Sequence, residues 1–392
     1  MQDCIRVLHV SAYFAPAYCY GGPPRSIHGL CLALANSGMI VCALTSAANG
    51  NIELPDQIVA ANAFNGVKVI YLPRAYPKGY FYCPDMKVYL ESIINNFDLV
   101  HIHGCWNYMS WMAGHICRKN NVPYIVSPRG MLESEAMKVS AFKKKIAYAI
   151  LEKRQLNGAA WIHATSLKEE SSVKALNITP PVSVIPNGVD LPKGESGCDK
   201  QLRARFNISD RGFVLLFVGR LHPIKGLNVL CGGLRLAKKS MSHIRLVLVG
   251  DGDEEYVNQL KSQFSDLVSS GHLIFAGHLD GEEKADAFMS ANAFSLMSQS
   301  ENFGLAIAEA MSYGLPVILS KGCPWPQVED WNAGYWIEPD ERVVAESICR
   351  LGQDMELSKT MGLNAKNHIS EYLDWGSVAN DVKAVYNKVL SK

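Results

Sequence analysis

Two α/β domains, each a parallel sheet with helices on both faces, are predicted by this 392-residue sequence. Short apolar strands alternate with helical stretches along most of the chain, which is the pattern of βαβ units. The alternation breaks at LPKGESGCDK (191–200), a polar stretch containing Gly and Pro that reads as a linker, and then restarts. A chain of 392 residues also exceeds one ordinary core, so two domains are the default.

In the first half the candidate strands are 5–11, 41–46, 67–72, 99–104, 124–128, 160–166 and 182–188, with helices over 25–38 and 110–120 between them. In the second half strands are expected at 212–220, 244–252, 273–279, 293–298, 316–320 and 334–338, with helices including 226–239 and 254–267. The tail DWGSVANDVKAVYNKVL (374–390) is one more amphipathic helix. No sequence repeat relates the halves.

Composition narrows the class. Hydrophobic residues make up 48% of the chain and the formal net charge is +1, which suits a soluble globular enzyme and gives no electrostatic footprint for nucleic acid. The eleven cysteines form no C-x-x-C pair, so the reading is a reducing compartment without a disulfide framework or a zinc site. The start of the chain runs into the strand IRVLHVSAYF without the basic-then-apolar layout of a signal peptide, and no apolar run approaches transmembrane length. A cytoplasmic location is expected.

Glu301 and Glu309 lie in SENFGLAIAEAMSYGLPVI (300–318), where an apolar helix-forming run is closed by Gly314 and Pro316. Eight helical residues rise about 12 Å, so one carboxylate is expected at a helix mouth and the other two turns in. The unpaired N–H groups at such a mouth attract phosphate. In VGRLHPIKGLNVL (218–230) a strand ends at Arg220 and Lys225 follows in the loop. Two cations fixed at one strand end can take up the charge that builds on a leaving diphosphate without a metal.

Other segments carry weaker signals. YGGPPRSIHGLCLAL (20–34) places Gly21 and Gly22 before a helix, leaving backbone N–H groups open to close approach. DLVHIHGCWNYMSW (98–111) puts His101 and His103 on one face of a strand; a metal reading fails there for want of a third ligand nearby, and His101 reads as a core residue. Trp106 and Tyr108 could form a platform for a sugar or be packing residues. Arg129 in SPRGML (127–132) reads equally as a substrate contact or a structural ion pair, and Asn187 as structural. The D-x-D spacing of Asp251 and Asp253 sits in Gly-rich turn chemistry, not in a metal-binding setting. KVSAFKKKIAYAILEKR (138–154) is basic and amphipathic: a solvated helix face, or a docking surface for anionic lipid headgroups at the inner face of the cytoplasmic membrane. No dinucleotide fingerprint or Walker motif occurs.

With Asn-Phe-Gly inside the E-x7-E spacing, Ala-Met-x-x-Gly-x-Pro-Val after it and G-R-x4-K-G before it, the chain resembles the GT-B-fold retaining glycosyltransferases of family 4. The resemblance implies two Rossmann-like doubly wound domains facing a central cleft. Residues 1–192 would bind the acceptor, with 374–392 packing back on them, and 200–373 would bind the donor. It implies transfer of a hexose from a UDP-sugar, with glucose the best guess, to a glycan or lipid-linked acceptor in polysaccharide assembly, with no metal. By the same resemblance Arg220 and Lys225 hold the diphosphate and Glu301 the sugar hydroxyls, while Glu309 holds the ribose and His103 orients the sugar. Gly21, Gly22, Asn302, Phe303, Gly304 and Leu305 approach the donor, and the backbone of His278 and Leu279 reads the base. Trp106, Tyr108 and Arg129 face the acceptor. The rival readings are a nucleotide-sugar epimerase or hydrolase on the same architecture and a non-catalytic nucleotide-sugar-binding protein.

Overall fold

The structure, a computed structural model, describes residues 4–133, 136–137, 144, 147–192 and 201–391. The chain divides into two compact units, Met1–Gly188 with Trp375–Lys392, and Val189–Asp374. The stretch 193–200, most of the expected linker, lies outside the described residues.

The first unit is built on β1 (Arg6–Ser11), β2 (Ile40–Ser46), β3 (Ala48–Asn49), β4 (Ile52–Glu53), β5 (Ala63–Phe64), β6 (Val67–Leu72), β7 (Leu99–His103), β8 (Tyr124–Ser127), β9 (Trp161–Ala164) and β10 (Val182–Val184). Its main sheet runs β10-β9-β8-β7-β1-β2-β6-β5 and is parallel except for the edge strand β5. Strands β7 and β8 are buried along their whole length, as expected of strands covered by helices on both faces. Because the chain winds outward from β1 to β2 and β6, then returns to β7 and winds the other way, the loops after β1 and β7 part at a topological switch point. In open α/β sheets, that is where ligands bind. The stretch 47–97 holds, besides β6, the hairpin β3–β4, the antiparallel β5 and the helix Met86–Ile93.

The C-terminal helix Trp375–Leu390 belongs to this unit. Its stripe Val378, Val382, Val385, Tyr386 and Val389 is buried in the same core as Ile27, Leu30 and Leu34 of the helix Gly22–Asn36. Each such side chain contributes about 1.5–3 kcal/mol over leaving it in water. Trp375 fits because glycines face it: a Cβ on Gly29 would stand 2.1 Å from its ring, and one on Gly188 2.3 Å.

The second unit contains β11 (Phe213–Val218), β12 (Ile244–Val249), β13 (Leu273–Gly277), β14 (Ala293–Leu296), β15 (Val317–Ser320) and β16 (Gly334–Ile337), all parallel, in the order β13-β12-β11-β14-β15-β16. Its switch point lies between β11 and β14.

Sequence reading runs several strands too far. β11 stops at Val218, β12 at Val249 and β13 at Gly277, and Gly219, Gly250 and Gly277 then turn the backbone with positive φ into the loops that carry the candidate site. β10 ends at Val184, short of Asn187. The helix expected over 254–267 is broken at Phe264 into Glu254–Gln263 and Ser265–Ser269.

Candidate active site

In the second unit the loops leaving the C-terminal ends of the strands are bonded backbone to backbone. Leu221 donates to Asp251 at 2.8 Å, Gln299 to Ile224 at 2.8 Å and Glu301 to Gly322 at 3.0 Å. The approach requires glycine at 226: its φ is +65°, and a Cβ there would stand 2.0 Å from the Met297 carbonyl oxygen. This contact brings the loop after β11 against the loop after β14. Lys225 and Glu301, 76 residues apart in sequence, therefore form an ion pair, and Ser298 Oγ donates to the same Glu301 oxygen at 2.8 Å. The pair is only partly screened, with Lys225 20% and Glu301 12% exposed. Arg220, exposed, stands at the mouth of the same loop. Cation, carboxylate and hydroxyl thus converge at the switch point, a setting that can take an anion on one side and sugar hydroxyls on the other.

Glu301 does not sit at a helix mouth. Gly304 takes a left-handed conformation (φ 79°) and the helix begins only at Leu305, so Glu301 belongs to the preceding loop and Glu309 lies about one turn into the helix Leu305–Ser312. Glu309 has a partner that sequence reading misses. Lys284, in the helix Gly281–Ser290, places Nζ 2.7 Å from Oε1 and 2.8 Å from Oε2 of Glu309.

Phe303 is buried and tilted against Trp325 at 5.2 Å between centroids, with its carbonyl accepting from the Trp325 indole N–H, so its side chain is a packing element. Asn302 and Leu305 are half-buried on either side. Leu279 is buried in the core of this unit, while the His278 ring is largely exposed with Nδ1 4.0 Å from Asp251 Oδ2. Asp253 caps the helix Glu254–Gln263 by accepting from the Tyr256 N–H at 3.2 Å, which separates its role from that of Asp251.

In the first unit Gly21, with φ +85°, is the N-cap of the helix Gly22–Asn36, which starts on Pro23 and Pro24. At the switch point a cavity of about 270 Å³ is lined by Tyr13, Phe81, His103, Trp106, Met131 and Lys144, among others. Trp106 forms one wall: its indole N–H donates to Met131 O at 2.9 Å, and its backbone N–H donates to Glu152 Oε1 at 2.6 Å. Burial pushes the Glu152 carboxyl up to about 7. Tyr108 packs on Tyr82 and Trp111 and is not part of the cavity wall.

His103 and Arg129 are bonded to each other. Both are buried, His103 at the wall of this cavity, and Arg129 Nε and Nη2 donate to His103 Nδ1 at 3.3 and 3.2 Å. Arg129 Nη1 further donates to Ser26 Oγ at 3.0 Å and to Asn187 Oδ1 at 2.8 Å. A guanidinium only donates, so His103 Nδ1 carries no proton. Its proton sits on Nε2 and is donated to His9 Nδ1 at 2.9 Å, which leaves the His9 proton on Nε2.

The third imidazole judged missing from sequence is therefore present. His9, His101 and His103 each bring a ring nitrogen within 4.8 Å of the others. A metal reading still meets a chemical obstacle, because a neutral imidazole has one lone pair and Arg129 occupies that of His103. His101 is engaged at both nitrogens, with Tyr386 Oη at 2.7 Å and Ser127 Oγ at 2.8 Å. Burial, with Arg129 and His163 beside it, pushes His9 down to about 3; burial and Arg129 push His163 down to about 4. Burial first, then the neighbouring histidines and Arg129, holds His101 and His103 well below the usual range. Burial lowers Arg129 itself to about 10.

Of the basic segment 138–154, residues 138–143 and 145–146 lie outside the described residues. The rest includes a π-helical turn, Tyr148–Glu152, whose Glu152 is buried, so this end is not a wholly solvated face. No helix among the described residues is long and apolar enough to cross a membrane.

Two family models match the chain: one described as Glycosyltransferase Family 4 over residues 20–193, and one as Glycosyl transferases group 1 over 199–368. A phosphatidyl-myo-inositol mannosyltransferase of Mycobacterium leprae is 32% identical over 209 residues, covering 52% of this chain and 53% of that protein, so the matched region spans about half the relative's length. An uncharacterized glycosyltransferase of Methanocaldococcus jannaschii is 25% identical over 93% of this chain and 95% of its own. Among solved structures, HepE of Anabaena in complex with UDP matches with a TM-score of 0.77 at 17% identity, covering 98% of this chain and 100% of that one. The same protein has been solved with UDP and glucose and with UDP-glucose. At this identity the likeness is one of fold: two Rossmann-like domains with parallel sheets.

Proposed function

Because the chain belongs to the glycosyltransferases of family 4, with the group 1 domain in its second half, we propose that it moves a hexose from a UDP-sugar to a sugar hydroxyl of a glycan or lipid-linked acceptor. Retention at the anomeric carbon and a role in polysaccharide assembly are part of the proposal, and glucose is the preferred donor sugar. The observation that carries it is the convergence of Lys225, Glu301 and Ser298 at the β11/β14 switch point, with Arg220 at the same loop. That HepE, of like fold, is held with UDP and glucose supports the choice of donor.

In this reading Arg220 and Lys225 take the charge that grows on the diphosphate as the glycosidic bond breaks, and Glu301 accepts from the hexose hydroxyls. Glu309 accepts from the ribose diol. His103, held by Arg129, orients the sugar, and Trp106 offers an apolar face to the acceptor sugar. The leaving phosphate oxygen assists removal of the acceptor proton on the same face, so no covalent nucleophile is required. The cations of the protein do the work a metal would otherwise do, and transfer should survive chelation by EDTA. Residues 138–154 bring the protein to anionic lipid at the inner membrane face, where a lipid-linked acceptor would lie.

Two measurements test this. A thermal-shift screen against nucleotide diphosphates should show stabilisation by UDP and none by GDP or ADP, since a ligand that binds the folded state raises its apparent stability. Arg220→Ala combined with Lys225→Ala should abolish the shift; wild-type affinity for UDP in that variant overturns the proposal. Transfer of label from UDP-hexose separates an enzyme from a silent binder.

A further inference from the structure

We infer that Lys284 is a positioning residue for ribose recognition, acting through Glu309; the inference rests on the donor reading above. Lys284 Nζ lies 2.7 and 2.8 Å from the two oxygens of Glu309, so one ammonium spans the whole carboxylate. The two residues come from consecutive crossover helices, Gly281–Ser290 between β13 and β14 and Leu305–Ser312 between β14 and β15. Both side chains are mostly sheltered, Lys284 at 17% and Glu309 at 21% exposure, where an ion pair is screened less than on an open surface. The Lys284 stem is further held near the Phe288 ring, 5.9 Å from Nζ to the centroid, and Phe288 in turn stacks on Tyr313 beyond the end of the Glu309 helix.

A carboxylate has about four acceptor positions, two on each oxygen. An ammonium that meets both oxygens lies between them and takes the inner position on each, which leaves the outer position on each oxygen, the two pointing apart. One outer position can accept from a ribose hydroxyl. Without Lys284 the carboxylate could rotate and recruit water, and that position would no longer be aimed. Lys284 therefore fixes the direction in which Glu309 accepts from the ribose while touching no part of the nucleotide itself.

The test compares binding of UDP and 2′-deoxy-UDP by calorimetry to wild-type protein, Glu309→Gln, Lys284→Met and Lys284→Arg. Wild type should prefer UDP by roughly tenfold or more, the worth of one charge-assisted hydrogen bond. Lys284→Met should cut that preference to under about threefold, as Glu309→Gln does, and Lys284→Arg should restore much of it, since a guanidinium can also span both oxygens. If Lys284→Met weakens both ligands equally, or weakens neither, the preference is not set by Lys284 and the inference falls while the donor reading stands. If wild type binds no UDP, the donor reading falls with it.

Discussion

Arg129 donates to Nδ1 of His103, and that single contact decides where the protons sit on two histidines. His103 must carry its proton on Nε2 and pass it toward His9, which in turn must present Nε2–H to a buried space where no hydrogen-bond partner stands among the described residues. A second proton on His103 would face the guanidinium directly. The histidine core of the first unit is therefore built to stay neutral.

Neutral buried histidines make the fold acid-sensitive. An unfolded chain protonates His9 and His163 near 6.5, whereas the folded chain resists until about 3 and about 4. Between those values the unfolded state holds more protons, so stability falls as pH drops below 6.5, by up to about 1.4 kcal/mol per pH unit for each histidine. Urea midpoints measured from pH 7.5 to 4 should show this slope. His163→Gln keeps a donor for the Ile185 carbonyl, which His163 Nε2 now meets at 2.8 Å, and should flatten the slope by one histidine's share. A slope unchanged by that substitution would show that His163 does not carry it.

Glu152 predicts the opposite trend. Burial raises its carboxyl from 4.5 to about 7, so the folded state holds the extra proton between those values and stability falls as pH rises through them. Glu152→Gln retains an acceptor for the Trp106 N–H but removes the buried charge. It should gain on wild type by up to about 3 kcal/mol on going from pH 4.5 to pH 8, read from urea midpoints at both ends. A constant difference across the range would mean that Glu152 ionises without cost in the fold.

How much of this was legible in sequence depends on whether the information is local. The β11 strand, the Gly-Arg-x4-Lys-Gly loop and the two glutamates each announce themselves within about a dozen residues, and the structure joins Lys225 to Glu301. Lys284 was invisible because its partner lies 25 residues away and only the packing of two crossover helices brings them together. His9 is hidden for the same reason: it faces His101 across the β1–β7 pairing, and strand order is not written in either segment. Glu301 reads as standing at a helix mouth because the apolar run after it looks continuous, while the left-handed Gly304 delays the first turn to Leu305. Sequence leaves Arg129 open between a substrate contact and a structural role; its φ of +54° accompanies a side chain turned into the protein, to Ser26 and Asn187.

Gly226 should tolerate no side chain. Its left-handed backbone alone costs alanine about 1–2 kcal/mol, and a Cβ 2.0 Å from the Met297 carbonyl oxygen meets backbone that cannot rotate away. Gly226→Ala should lose about 3 kcal/mol or more of stability by urea unfolding and weaken UDP at least tenfold, because it parts the loops that present Lys225 and Glu301. Gly21→Ala is the contrast: its φ is also positive, but a Cβ there meets nothing within 4 Å, so its loss should be confined to backbone strain. Equal losses at the two positions would refute a specific role for the 226/297 approach.

Lys225 and Glu301 should prove energetically coupled in the absence of any ligand. Removing Lys225 takes the ammonium from a partly buried Glu301 to which Ser298 Oγ also donates, and removing the Glu301 charge leaves an ammonium that is only one-fifth exposed. Lys225→Met and Glu301→Gln should each destabilise by about 1–3 kcal/mol, while the double variant should cost less than their sum by about 1 kcal/mol or more. On the donor reading proposed above, the two effects separate on ligand: UDP binding should respond to Lys225 and little to Glu301, because UDP carries the diphosphate but no hexose, whereas hexose transfer should fall in both variants. Strict additivity in the unfolding cycle would mean that the ion pair contributes nothing to the resting site. Lys225 and Glu301 would then have to be explained as two independent side chains that happen to meet.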